Sequence, residues 1–461
     1  MRRPALLLLF LSISAFVSAQ PSLNGTWEGA ISIQGQDLGI IFNIEGEAGN
    51  YSGTLDIPAQ GAADLPLIYI IMRGDSMSTG FNTGTGMGEF KGQLVNENNI
   101  EGTYIQSGSS FPFRLVRQDP SSVNDVDPGA GEEFIITNEE VKIAGTLVVP
   151  DGVNQPSVVI LLSGSGAQNR DSEIVGFRPF ADIAEHLKNQ DIASFRFDDR
   201  QVGQSTGNFM EAGLSTLASD VNSIIQFLQD SVDTQLGEII LLGHSQGGIV
   251  AGEVARSNPD VDKLILIASP AVSMMRILRY QVRQAYEEIN LPEEAIQNEI
   301  DAREDLMKAI SSNDGVNTAV ELYEHAYREV LNSLSEEQLQ AVPEDRESFI
   351  ERQTNQLLSY YGTTQMESFL FHDPAGDLSE LTIPVLMLFG GKDRQVSDEL
   401  NAPVARDALS EAGTEFEIRV LENANHLFQE AETGAVTEYS SLDREFIDGF
   451  LPTISEWILT H

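Results

Sequence analysis

The chain has no cysteine in its 461 residues. Disulfides, thiolate nucleophiles and cysteine-based zinc sites are thereby excluded. Stability must come from a packed core, which a chain of this length can bury. Basic residues are scarce: 27 lysines and arginines stand against 70 aspartates and glutamates, a formal net charge of −43. A phosphate backbone or an anionic membrane surface would be repelled, so nucleic acid is excluded as a partner. The acidity itself reads as a solvated surface. Long hydrophobic runs are also lacking. The apolar stretch 5–16 falls short of the about 20 residues that cross a bilayer. It follows Arg2 and Arg3 and precedes Val17-Ser18-Ala19, so residues 1–19 have the form of a secretory signal peptide cut before Gln20. No cysteine follows for lipid attachment, and the mature chain is expected to be exported without membrane insertion.

What is present falls into two regimes. Between residues 24 and 117 short alternating runs recur at 27–33, 38–44, 51–57, 67–72, 88–95, 100–105 and 111–116, separated by turn formers such as Glu47-Ala48-Gly49-Asn50. Short strands at close spacing predict a small all-β barrel or sandwich over residues 20–118. This segment has no histidine and no catalytic constellation. It reads either as a stabilising accessory domain or as a binding module for a glycan or protein partner. Residues 119–132, rich in Asp, Pro, Gly and Ser, read as a linker. Its aspartates lack the spacing of a calcium loop, so no metal site is assigned.

From 133 to 461 strands alternate with helical periods. The runs 158–162, 193–197, 239–242, 264–267 and 385–389 are short and almost wholly apolar, as strands buried on both faces of a parallel sheet must be. Leu214, Leu217, Val221, Ile224, Ile225 and Leu228 share one helical face. The fold class is α/β with crossover connections. One stretch, 272–372, carries no strong strand signal but several amphipathic helical segments and many aromatics. It reads as a helical cap over a site at the ligand side of the sheet, with a subdomain packed elsewhere as the alternative.

The chemistry sits in residues 239–250, where an apolar run enters Gly243-His-Ser245-Gln-Gly247 and a helix-compatible stretch leaves it. A strand turning sharply into a helix presents the central serine as a nucleophile, and flanking glycines admit the tight turn. Gly203-Gln-Ser205-Thr-Gly207 also matches the pattern, but it follows its strand after several polar residues and no clear helix start follows. Ser245 is therefore assigned as the nucleophile. Its hydroxyl needs a base. Of the six histidines, His186 and His325 lie in helical segments, His461 is terminal, His244 should point away from the serine and His372 ends the insert as a candidate substrate contact. His426 follows the apparent last strand, in Glu422-Asn-Ala-Asn-His426, and is assigned as the base. Asp393 follows the strong strand 383–389 and is assigned as the acid that orients it, ahead of Asp398. The oxyanion requires two preset N–H donors. They are assigned to Gln246, just after the nucleophile, and to Ser165 in Ser163-Gly-Ser-Gly166.

These pieces together resemble the α/β-hydrolases. Within them, Gly145-Thr-Leu-Val-Val-Pro150, Ser163-Gly-Ser-Gly-Ala-Gln-Asn-Arg-Asp171, Phe195-Arg-Phe-Asp-Asp-Arg200, Gly243-His-Ser-Gln-Gly-Gly248, Gly391-Lys-Asp393 and Asn425-His426 are similar to EstD-type bacterial esterases, grouped with serine aminopeptidase-like hydrolases. The order Ser245, Asp393, His426 is the one that family uses. The resemblance implies hydrolysis of short-chain carboxylic esters, a small-molecule substrate and no cofactor. It also implies that Gln168, Arg170 and Asp171 buttress the oxyanion loop, unless they form a plain structural salt bridge. Two departures stand out: Gln201 follows Arg200 where many relatives have glycine, and Ser163 replaces the histidine of a His-Gly oxyanion motif. An aminopeptidase or amidase would use the same parts, with Glu287 and Glu288 as candidate partners for a substrate ammonium. An acetyl or feruloyl esterase guided to glycans by the β-domain is a further alternative.

Overall fold

The computed structural model describes residues 22–117, except 34–35, 48–49, 58–61, 83–86, 97 and 107–108, and residues 131–461, except 175, 233, 340–341 and 343–344. The leader-like residues 1–19 and all but the end of the expected linker lie outside the described residues. The chain divides into two compact units, Met1–Val123 and Asn124–His461.

The first unit is a closed barrel of eight strands: β1 (Gly25–Ile33), β2 (Gln36–Glu47), β3 (Asn50–Ile57), β4 (Ala62–Arg73), β5 (Ser76–Asn82), β6 (Met87–Asn96), β7 (Asn99–Gln106) and β8 (Ser109–Arg117). Neighbours in sequence pair antiparallel, and β1 closes on β8 through pairs such as Trp27 with Arg117. Alternation builds it. Along β6, Gly88, Phe90 and Gly92 point in while Lys91 and Gln93 point out, the period of a half-buried strand. Aromatic rings fill the interior, with Phe90 centred 4.9 Å from Phe42, 4.6 Å from Tyr104 and 5.1 Å from Phe113. Trp27 is fully buried, donates its indole N–H to the Leu23 carbonyl at 2.8 Å and carries the Arg117 guanidinium 4.0 Å above its ring. Arg117 in turn donates to the carbonyls of Ser22 and Asn24. The strand that the sequence pattern misses is β5. Its inward positions are Met77, Thr79 and Phe81, and the buried threonine satisfies its hydroxyl on the Tyr69 carbonyl at 2.7 Å.

The second unit is an eight-stranded sheet in the order β16-β15-β14-β13-β11-β12-β10-β9. Its antiparallel edge is β9 (Glu132–Asn138) and β10 (Val141–Val148). The rest is parallel: β11 (Val158–Leu162), β12 (Ala193–Phe197), β13 (Ile239–His244), β14 (Lys263–Ile267), β15 (Val385–Gly390) and β16 (Phe416–Leu421). In β11 alternate residues enter two cores: Val158, Ile160 and Leu162 one, Val159 and Leu161 the other. This is why the strand carries no polar residue. Helices α1 (Pro179–Asn189), α2 (Leu214–Asp230) and α3 (Gln246–Ser257) follow β11, β12 and β13 in turn. The α2 face of Leu214, Val221, Ile224, Ile225 and Leu228 is buried as its period requires, with Leu217 packed at the margin.

Between β14 and β15 the described residues form helices only: α4 (Met274–Glu288), α5 (Glu293–Ser312), α6 (Val316–Ser333), α7 (Glu336–Leu339), α8 (Arg346–Tyr361), α9 (Thr364–Leu370) and α10 (Pro374–Ser379). The insert thus runs a few residues beyond the expected 372. It rests on loops that leave the carboxyl ends of strands. The Ser368 hydroxyl accepts from the Leu214 N–H at 2.9 Å, and the Gln281 amide donates to the Gln395 carbonyl at 2.9 Å. Those contacts set it on the edge of the sheet where Ser245 lies, as a cap does. The chain ends with α11 (Asp398–Ala412) and α12 (Phe450–Thr460).

Candidate active site

Ser245 lies between β13, whose residues are all buried, and α3, which starts at Gln246. Its backbone has φ 52° and ψ −122°, a conformation L-residues rarely hold and one that concentrates at functional sites. The flanking glycines are sterically required. A Cβ on Gly243 would lie 2.5 Å from the Gly247 carbonyl oxygen and the Gly248 Cα, and one on Gly247 would collide with the carbonyls of Leu162 and Ser163. The helix start therefore packs flush against the loop that leaves β11. Gly164, in that loop, is close but less tight: its Cβ would stand 3.2 Å from the His244 Nδ1 and 3.3 Å from the Ser245 Cβ.

Asp393 and His426 come together from loops after β15 and β16. The His426 Nδ1 bonds Asp393 Oδ2 at 2.7 Å, and both side chains are almost wholly buried. The other carboxylate oxygen accepts from the N–H groups of Gln395 at 2.8 Å and Val396 at 2.9 Å. Asp393 is thus fixed on both oxygens. The His426 loop is shaped by the buried Asn425, whose Oδ1 accepts from the N–H groups of Leu427 and Gln429 at 2.9 and 3.0 Å. Asp398, the other candidate acid, is the first residue of α11.

His244 links the serine turn to the base. Its Nε2 donates to the His426 carbonyl at 3.0 Å, and the two rings are 4.8 Å apart. The carbonyl accepts only, so His244 carries its proton on Nε2. Burial, with the His426 imidazole beside it, drives its pKa down to about 3, so it stays neutral around pH 7. Sequence reasoning gave it only a packing role.

The loop 163–168, where the sequence places an oxyanion donor, is held from below. Gln168 donates its side-chain amide to the Ser165 carbonyl at 2.9 Å. Arg170 pairs with Asp198, its guanidinium reaching Oδ2 at 2.8 Å, and also meets Glu133 and Thr146. Asp171 pairs with Arg178 and Arg196. Gln168 therefore touches the donor-bearing segment itself, whereas Arg170 and Asp171 form salt bridges at the loop's foot. The residue missed in the sequence is Asp199, whose Oδ2 accepts from the Ser163 hydroxyl at 2.7 Å and the Gln168 N–H at 2.9 Å. Its sequence signal was the paired Asp198-Asp199 directly after β12.

The other candidates are accounted for structurally. Ser205, of the second Gly-x-Ser-x-Gly, donates to the Asp198 carbonyl at 2.8 Å and accepts from the Ala144 N–H at 2.9 Å. His186 bonds the Ser455 hydroxyl. His372 Nε2 bonds Asp377 at 2.6 Å, which raises its pKa. Glu253, His372 and Asp377 could together face a cation, but Arg256 already bridges the two carboxylates.

Ser245 at the carboxyl edge of a parallel sheet, with a carboxylate–imidazole pair on the loops after the last two strands, is the arrangement expected of an α/β-hydrolase fold. A family model described as serine aminopeptidase, S33, matches residues 177–342, which include the serine turn and part of the cap. Esterase EstD of Thermotoga maritima is 24% identical over 365 residues, spanning 79% of this chain and 74% of that protein. Among solved structures, the Pyrococcus furiosus esterase Pf2001 is 16% identical with a TM-score of 0.44, covering 74% of this chain and 93% of its own. A proline iminopeptidase of Mycobacterium smegmatis is 15% identical with a TM-score of 0.41, covering 72% and 98%. The second unit has the α/β-hydrolase fold, and the chain is similar in sequence to an esterase and to the serine aminopeptidase family model.

Proposed function

We propose that the chain is a serine esterase that hydrolyses short-chain carboxylic esters through Ser245, His426 and Asp393. The observation that carries this reading is the 2.7 Å bond between His426 and Asp393, on loops at the sheet edge where a serine is held at positive φ and where its neighbour His244 bonds the His426 carbonyl. His426 takes the hydroxyl proton as Ser245 Oγ bonds to the ester carbonyl carbon. The N–H groups of Gln246 and Ser165 meet the oxyanion as it forms. His426 then gives the proton to the departing alkoxide, leaving an acyl-serine. Water repeats the sequence: His426 takes its proton, hydroxide adds to the acyl carbon, and Ser245 leaves with that proton as the carboxylic acid is released. Asp393 keeps the imidazole in its Nδ1–H tautomer throughout.

Ester rather than amide substrates are proposed on the similarity to an esterase; Glu287 and Glu288, the candidate partners for a substrate ammonium, sit exposed beside Arg283 and Arg394. Export is likewise proposed, on the strength of residues 1–19. The amino terminus of protein recovered outside the cytoplasm should read from Gln20.

The test is Ser245→Ala assayed on p-nitrophenyl acetate beside an aminoacyl anilide. The variant should lose about 10⁶-fold in kcat, and the wild type should prefer the ester. Near-wild-type turnover by the variant would refute the serine's role, and faster anilide cleavage would move the reading to a peptidase.

A further inference from the structure

Asp199 is a buried carboxylate with no basic partner. Among the described residues the cations nearest in the fold are engaged elsewhere, Arg170 with Asp198 and Arg200 with Asp220 at 2.6 Å. What Asp199 does hold is the loop over the nucleophile. One oxygen, Oδ2, takes both the Ser163 hydroxyl at the loop's start and the Gln168 N–H at its end. The backbone repeats the tie in reverse, since the Asp199 N–H donates to the Gln168 carbonyl at 3.0 Å. Gln168 then reaches back across the loop to the Ser165 carbonyl, and Ser172 fixes the same Gln168 amide by donating to its Oε1 at 2.5 Å. A chain of hydrogen bonds thus runs from Asp199 through Gln168 to Ser165. A small cavity of about 30 Å³ is bounded by Ser163, Gly164, Asp199, Gln246 and Gly247.

Resting on the serine-esterase reading, we infer that Asp199 is the positioning residue of the oxyanion hole: its ionised carboxylate clamps the 163–168 loop and so aims the Ser165 N–H at the developing oxyanion. Ser163 supplies the hydroxyl that the clamp grips. Asp199 touches no reacting atom. Its effect falls on the transition state, where the oxyanion exists, and not on ground-state binding.

The charges that face Asp199 support an ionisation step at working pH. Burial comes first, and Asp198 on its own segment and Asp220 from α2 add repulsion; against them stand the Ser163 and Gln168 bonds, and the result is a carboxyl pushed up to about 7. Protonation removes the charge from both bonds, so the clamp slackens as the pH falls through that value. The advantage of the charged side chain over a neutral one at 199 should therefore shrink in acid.

The experiment measures kcat and KM on p-nitrophenyl acetate from pH 5 to 9 for the full-length wild type, Asp199→Asn, Ser163→Ala and Ser245→Ala. Asp199→Asn should lower kcat about tenfold at pH 8, a small part of the 10² to 10³ that a lost oxyanion donor costs, with KM within about twofold. Ser163→Ala should fall in the same direction by less. The ratio of wild-type to Asp199→Asn kcat should be about tenfold at pH 8 and approach one at pH 5, where Asp199 is itself protonated. Wild-type kcat at every pH in both variants, with Ser245→Ala inactive, would overturn the inference and leave the esterase reading standing. Hydrolysis by Ser245→Ala would overturn both. Ser163→Ala changes a partly exposed residue, so it keeps the question answerable should Asp199→Asn fold poorly.

Discussion

Burial holds the Asp199 carboxyl near 7, against about 3.9 for a free aspartate. The folded chain therefore keeps this proton over a pH range in which the unfolded chain has released it. Stability falls as pH rises through that window and levels off above 7, by up to roughly 4 kcal/mol. Asp199→Asn has no charge to bury. The variant should be more stable than wild type at pH 8, by about 1–3 kcal/mol, with the difference shrinking towards pH 5. Urea denaturation at the two pH values tests this, and a difference that does not change with pH would show that the charge is not what burial opposes. A less active but more stable variant is what a site that trades stability for function should give. Gln201 offers a second case. It stands at φ 75°, where a side chain costs about 1–2 kcal/mol relative to glycine. Gln201→Gly should raise stability by about 0.5–1 kcal/mol after the added entropy of the unfolded chain is subtracted; a loss would mean that the Gln201 side chain makes a compensating contact. At this scale the sequence was most informative where a covalent pattern dictates geometry. Ser245 could be placed because glycines must surround a turn of that shape, and Asp393 and His426 because each ends a legible strand. Asp199 could not, since its role arises from burial and from a loop thirty-odd positions away, neither of which leaves a local pattern.

Among the elements, the helical insert is joined to Asp393, the proposed acid, by α4. Gln281 donates to the Gln395 carbonyl, Arg394 pairs with Glu288, and the Gln395 N–H is one of the two that fix Asp393. The Gln395 side chain also donates to the Tyr439 hydroxyl at 2.9 Å. The Arg394–Glu288 pair is well exposed, so its worth to global stability is about 0–1 kcal/mol. Its effect should be local. A Gln281→Ala, Arg394→Ala double variant should speed amide hydrogen exchange in Met274–Glu288 while the urea midpoint of the whole unit moves by less than the equivalent of about 1 kcal/mol. Unchanged exchange in that helix would show that packing alone seats it. Elements were legible in proportion to their apolar content. The parallel strands declare themselves because both faces are buried, and the insert because no strand interrupts it. Strand β5 escaped because Ser76, Ser78 and Gly80 face outward or lack a side chain, and its central inward residue is Thr79. A buried hydroxyl, satisfied on Tyr69, looks polar in the sequence and apolar in the fold.

For the whole molecule, two units with separate cores make a prediction about cooperativity. The barrel core gathers around Trp27 and the C-terminal helix carries Trp457 into a core of the hydrolase unit, and these are the chain's two tryptophans. Each unit therefore has its own fluorophore. The barrel is tied by short-range antiparallel pairs and an aromatic interior. The hydrolase unit depends on a large parallel sheet whose strands meet only after long crossovers. Units with independent cores need not unfold together, and a single two-state transition is not expected of such a chain. In Trp457→Phe only Trp27 reports, and the substitution leaves the barrel untouched; in Trp27→Phe only Trp457 reports, with the hydrolase unit untouched. Followed by fluorescence in urea, the two variants should give different midpoints, and loss of esterase activity in the wild type should track the Trp457 transition. Coincident midpoints, with activity lost at the same urea concentration, would instead make the barrel an integral part of the hydrolase's stability and would argue that the two units fold as one.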